Sequence, residues 1–237
     1  MKASNWPLPF GMAFFAGMMA VGYYYNLTFV QFGLLDLGTR VIGMSARQVA
    51  TDMAVLALIT SIVAVSFGWL MMRRSWSQQF VAKLRLAFGV VAVQTILTVI
   101  APQVRSETGF LAWVVVAAIA MGVGVPATFG MTVDLVPVKH RGYVGALITA
   151  GAYFPAAVLS ATWTIEQFSA SLAWVMLAGM APLGALAFGN FGFVQQLANQ
   201  HTLPHFGRGR FVRIDSRGES KVRRSLVVLV ALMFGIF

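Results

Sequence analysis

The sequence predicts an all-α, polytopic membrane protein, and three observations carry that expectation. Hydrophobic residues make up 59% of the 237-residue chain and Asp, Glu, Lys and Arg only 10%, against roughly 45–50% and about 25% in an average soluble protein. Mean hydropathy is +0.79, and a soluble globule with that much apolar surface would leave large patches exposed. The apolar residues also form unbroken runs, as from Val114 to Met121, where a barrel strand would alternate polar with apolar positions over about ten residues.

Taken in order, the first apolar run starts near Leu8 behind a single charge at Lys2 and continues past Tyr23-Tyr24-Tyr25-Asn26 without a small-residue cleavage site. It therefore reads as a first span and not as a cleaved signal. A helix needs about 20 residues to cross roughly 30 Å of hydrocarbon. Six stretches qualify: Leu8–Leu35, Asp52–Met72, Leu84–Ala101, Gly109–Val133, Gly142–Thr162 and Ser171–Phe193. Their ends are placed to within about 3 residues. A seventh begins at Ser225 and reaches only Phe237, about 20 Å of helix and too short to cross. The expected organisation is a six-helix transmembrane bundle over residues 1–194, a basic cytoplasmic linker over 195–224, and the start of a truncated seventh helix over 225–237.

Basic residues fix the expected direction. The N-terminus, the second and fourth loops and the linker hold fourteen, from Lys2 through Arg73, Arg74, Lys83, Arg85, Lys139 and Arg141 to Arg224, while the alternate loops hold only Arg40, Arg47 and Arg105. The positive-inside rule puts the first group, and with it the N-terminus, in the cytoplasm of a cell whose inner membrane the chain crosses many times. The formal charge of +10 is thus spread between apolar runs. It forms no soluble basic face for nucleic acid.

The linker from Gln195 to Arg224 carries seven basic residues, which hold such a segment near anionic membrane lipid. His201 and His205 lie four apart but flank Pro204 and have no third ligand, so no metal site is expected. Ala181, Ala185 and Gly189, Ala13 with Gly17, and Ala16 with Ala20 recur at a spacing that lets helices approach closely in lipid. Pro126 and Pro155 lie inside spans four and five and interrupt their hydrogen-bond ladders.

Six helices, a long basic loop and the start of a seventh resemble the N-terminal half of a major facilitator superfamily (MFS) transporter. Asp134-Leu-Val-Pro137-Val-Lys-His-Arg141-Gly142 is similar to the acidic-x-x-Pro-x-x-x-Arg-Gly stretch of that family's fourth loop. Gly68-Trp-Leu-Met-Met-Arg73-Arg74-Ser75 is similar to its loop-two signature, Gly-x-x-x-Asp-Arg-x-Gly-Arg-Arg. Here Met72 replaces the acid, Ser75 the second glycine, and Trp76 and Ser77 the final basic pair. The resemblance implies a cavity lined mainly by spans one and four, with spans two and five meeting a second six-helix half. That half is expected beyond Phe237 or from another chain, and alternating access would come from rocking the two.

Polar groups inside spans are costly and so mark candidate sites. Tyr24, Thr28 and Gln31 share one face of span one, and Thr128 and Tyr153 flank the span-four and span-five prolines. These are the substrate-cavity candidates. The competing readings are an aromatic belt for the tyrosines and hydroxyl bonds to the same helix for Thr128 and Thr149. Gln94 in span three reads as an interhelical hydrogen bond. Gly68, Arg73, Asp134, Pro137, Arg141 and Gly142 form a cytoplasmic gate or, alternatively, a static loop brace. Asp134 opposes its helix macrodipole and is expected to pair with Arg73, Arg141 or backbone amides.

No ionisable side chain falls at the midplane of a span, so this half offers no proton relay. The chain has no cysteine, GxGxxG, P-loop or HExxH, and no catalytic residues, metal or cofactor are expected. The leading expectation is a secondary transporter for a small, uncharged or hydrophobic organic solute, not an enzyme. The rival is a transporter-fold membrane subunit or assembly factor that moves nothing. A third reading has the six helices pairing with a second copy as a pore.

Overall fold

The computed structural model describes residues 29–30, 32–135, 142, 144–146, 150, 163–189 and 192. All of them lie within one compact unit, Met1–Leu203. The described elements are helical, and four are long and apolar enough to cross a membrane, as expected of a multi-pass membrane protein. They are α1 (Ala46–Arg73), α2 (Phe80–Ile100), α3 (Glu107–Leu135) and α4 (Ile165–Phe188).

Before α1, an α-helical turn at Leu34–Asp36 runs into a π-helical stretch at Leu37–Ile42. The helical winding therefore passes the expected end at Leu35 and stops at Gly43, whose φ of 85° lies in the left-handed region that glycine tolerates. Ser45 then starts α1 with a capping box: its hydroxyl accepts from the Gln48 N–H, and the Gln48 side chain accepts from the Ser45 N–H at 2.9 Å. Thr164 and Gln167 repeat the device before α4. Both boxes satisfy orphan N–H groups with side-chain oxygens.

These caps begin α1 and α4 six residues earlier than hydropathy alone places them. α2 likewise starts four residues early, at Phe80. Asp52 consequently lies inside α1, and Glu107 and Glu166 are first-turn residues of α3 and α4. At a helix N-terminus a carboxylate complements the macrodipole.

α1 lies along α3, and α2 lies between α3 and α4. Thr60 and Val63 face Gly122, and Gly68 faces Pro126, so α1 and α3 run parallel. Gly122 sets their closeness: a Cβ there would stand 2.6 Å from Val63 Cβ and 2.9 Å from the Thr60 carbonyl oxygen. The Thr60 hydroxyl also donates to the Ala118 carbonyl at 3.3 Å.

α2 runs against α3 and α4. Trp113 of α3 donates its indole N–H to the Leu97 carbonyl at 2.8 Å, and Ser169 of α4 donates to the Thr98 carbonyl at 2.6 Å. Thr98 requires such a donor, because Pro102, four residues on, supplies no N–H. Gln94 is buried nearby, but the interhelical bonds described at this level come from Trp113 and Ser169.

The core gathers where the first stretch enters the bundle. Phe29, Leu34, Leu37, Phe110, Trp113, Ile165 and Phe168 are all buried there. Gly33 abuts Ile165 and Phe168, and the Phe29 and Trp113 rings lie 5.9 Å apart. By contrast α1 presents Leu58, Ile62, Val65, Trp69 and Met72 outward, with Val65 76% exposed. Ala181, Ala185 and Gly189 are exposed as well, so this small-residue series faces out from the bundle instead of packing a described neighbour.

Candidate functional site

The bundle has two chemically different ends. The Arg73 end holds Arg73, Arg74, Lys83, Arg85 and Asp134; the opposite, Arg40 end holds Arg40, Arg47 and Arg105 against Asp36, Asp52, Glu107 and Glu166. One is strongly basic and the other slightly acidic.

At the basic end lies a buried ion pair. The sequence reading puts Lys83 in the second loop, but it sits in the first turn of α2, 1% exposed, with its ammonium against the Asp134 carboxylate, itself 7% exposed. Asp134 thus finds its cation on α2 and not at Arg73. The Arg73 guanidinium instead lies 5.2 Å over the exposed Trp69 ring.

Lys83 also donates to the Ser77 carbonyl at 2.8 Å, which ties the 3-10 turn Trp76–Gln78 to the pair. Gly130, one turn before Asp134, makes the path for the lysine stem: a Cβ there would meet Lys83 Cδ at 3.1 Å.

The electrostatic logic lies in the pairing. A cation in the first turn of α2 and an anion in the last turn of α3 each oppose their own helix dipole. Side by side they cancel each other, and removing Asp134 takes the counter-ion from the buried Lys83 ammonium. Two signals in the sequence point to the pair once α2 is extended to Phe80: an acid at a helix C-terminus needing a cation, and a glycine four residues before it.

Of the other gate residues, Gly68 packs on Pro126, where a Cβ would stand 3.6 Å from that ring's Cβ. Gly142 is helical and exposed, with nothing within 4 Å of a Cβ position. Pro137 and Arg141 lie outside the described residues.

Among the cavity candidates, Tyr24, Thr28, Gln31 and Tyr153 also lie outside them. Thr128 donates to the Gly124 carbonyl at 2.7 Å, the back-bond common to threonine in helices.

At the acidic end, Asp36 takes two bonds of 2.9 Å from Arg40, whose guanidinium also reaches Glu166 at 2.9 Å. Asp36 further accepts from the Ile165 N–H at 2.9 Å, capping α4 from the first stretch. The Arg40 guanidinium and then the Ile165 amide hold the Asp36 carboxyl below its ordinary value, outweighing the opposing effect of burial.

Among the described residues no cluster of His, Asp or Glu could hold a metal ion. No known family, curated protein or solved structure matches the chain.

Proposed function

We propose that the chain is the N-terminal half of an MFS-type secondary transporter for a small, uncharged or hydrophobic organic solute. In this reading the Arg73 end faces the cytoplasm. The observation that carries the proposal is the bridge that Lys83 makes between the two motif-like segments at the basic end, donating to the Ser77 carbonyl at the close of the first and pairing with Asp134 at the start of the second. Gly68 lies on Pro126 of α3, and Lys83, ten residues past Arg73, holds the Asp134 that opens the second segment.

Topology supports a further crossing between α3 and α4. α3 ends at the Arg73 end while α4 begins beside Asp36 at the Arg40 end. In the proposed reading the fifth span, Gly142–Thr162 in the sequence, returns the chain from one end to the other. The four-against-one excess of basic residues at the Arg73 end accords with a cytoplasmic placement.

The Lys83–Asp134 pair lies within one bundle, so it acts as a brace for this half and not as a latch between halves. Met72, at the motif's acid position, is 65% exposed and offers no latch either. That favours one second reading, a transporter-fold subunit that holds a partner and moves nothing.

The test is accumulation of a panel of uncharged organic solutes in cells expressing the native gene product, with and without Lys83→Met. Transport predicts solute-specific flux that falls only in proportion to the variant's lower abundance. Absence of flux alongside a stable copurifying membrane complex would contradict transport and establish the subunit reading.

A further inference from the structure

The seam between α2 and α4 carries a charge, Arg85, that pairs with no described carboxylate. Arg85 stands on the outward side of α2, followed on that face by Gly89, Val93, Ile96 and Ile100, all exposed. On α4, Trp174, Leu177 and Phe188 face outward, Trp174 being 74% and Phe188 62% exposed.

These two faces adjoin. The Phe88 and Phe188 rings meet edge to face at 5.4 Å, and a Cβ on Gly184 would touch the Phe88 ring at 2.9 Å. The result is a continuous apolar surface with Arg85 at its rim.

Arg85 is held there. Its Nε–H donates to the Ala187 carbonyl at 3.2 Å, at the C-terminal end of α4, and its Cζ lies 5.7 Å from the Phe188 ring centroid. Both contacts suit a guanidinium, one through the helix dipole and the other through the ring quadrupole. They fix its position while leaving the Nη donors. Among the described residues, the acids that form ion pairs do so with Arg40 and Lys83, so no described carboxylate takes those donors.

We infer that this rim binds one anionic phospholipid, its phosphate on the Arg85 guanidinium and an acyl chain along the apolar seam. A fixed guanidinium suits a phosphate through paired N–H bonds. Gly89, with nothing within 4 Å of a Cβ position, leaves the chain room beside Phe88. The inference needs only a membrane-embedded bundle, so absence of solute flux would leave it standing.

Native mass spectrometry of the full protein, released into mild detergent with equal phosphatidylglycerol and phosphatidylcholine, reads the site directly. The wild type is expected to retain one phosphatidylglycerol over phosphatidylcholine by about fivefold, the effect of one basic residue near an anionic surface. Arg85→Gln removes that preference, while Arg85→Lys, which keeps the charge, retains part of it. Arg74→Gln, an exposed arginine at the same end, leaves it intact. Equal retention of both lipids by the wild type would overturn the inference. So would an undiminished preference in Arg85→Gln or an equal loss in Arg74→Gln. Should Arg85→Gln not fold, soluble glycerol phosphate added to the wild type decides between ligands. Continued lipid retention supports the seam-bound lipid, and displacement by the soluble phosphate contradicts it.

Discussion

Lys83 and Asp134 each occupy the helix end that disfavours their charge, and that shared misplacement makes the pair more than a surface contact. Both are almost fully buried, so truncating one takes a close opposite charge from the other in a poorly solvated site. Lys83→Met is expected to destabilise the bundle by roughly 3–5 kcal/mol, the usual cost of breaking a buried pair from one side. Lys83→Met combined with Asp134→Leu restores most of it, because two apolar residues of similar size leave no buried charge. Thermal unfolding of the purified variants in detergent checks both. Equal losses in the single and double variants would mean that Lys83 matters for its packing on Gly130 and not for its charge. The residue types needed for this pair were present in the sequence. Their meeting was not legible, because Phe80, Val81 and Ala82 lengthen α2 past the hydropathy boundary and turn an apparent loop lysine into an inward one.

At the scale of elements, the principal device is the clasp that ties the winding before α1 to the start of α4. Asp36 bonds Arg40 in its own stretch and the Ile165 amide across the bundle. Its carboxyl lies below its ordinary value of 3.8 in the folded protein. A depressed carboxylate contributes stability that is complete above the unfolded value and is lost as pH falls through the folded one. Asp36→Asn should therefore unfold at a lower temperature than the wild type at neutral pH. The gap should close as the pH falls below 3.8, and a gap independent of pH would show that shape and not charge matters there. Hydropathy located the apolar bodies of α1 to α4 but placed their starts late. The reason is physical: Ser45 with Gln48 and Thr164 with Gln167 begin helices in polar sequence, where capping and not burial decides. The Asp36–Ile165 bond, 129 positions apart in the chain, left no local trace in the sequence.

For the whole molecule, α1, α3 and α4 run from the Arg40 end to the Arg73 end and α2 runs back. Such an arrangement, with a basic rim at one end, is what a half-transporter reading requires of its second, third, fourth and sixth spans. The count of spans, and with it the likeness to an MFS half, depends on whether Leu8–Leu35 and Gly142–Thr162 also cross. Because the chain has no cysteine, single cysteines report cleanly on sidedness. The decisive measurement is labelling of intact cells by a membrane-impermeant maleimide at Ser4, Ser45, Ser75, Ser106, Lys139, Thr164 and Ser216, each replaced in turn by cysteine. Six spans with the Arg73 end inside predict labelling at positions 45, 106 and 164 and protection at 4, 75, 139 and 216 until the cells are opened. If positions 4 and 45, or 139 and 164, label from the same side, the six-span account is contradicted.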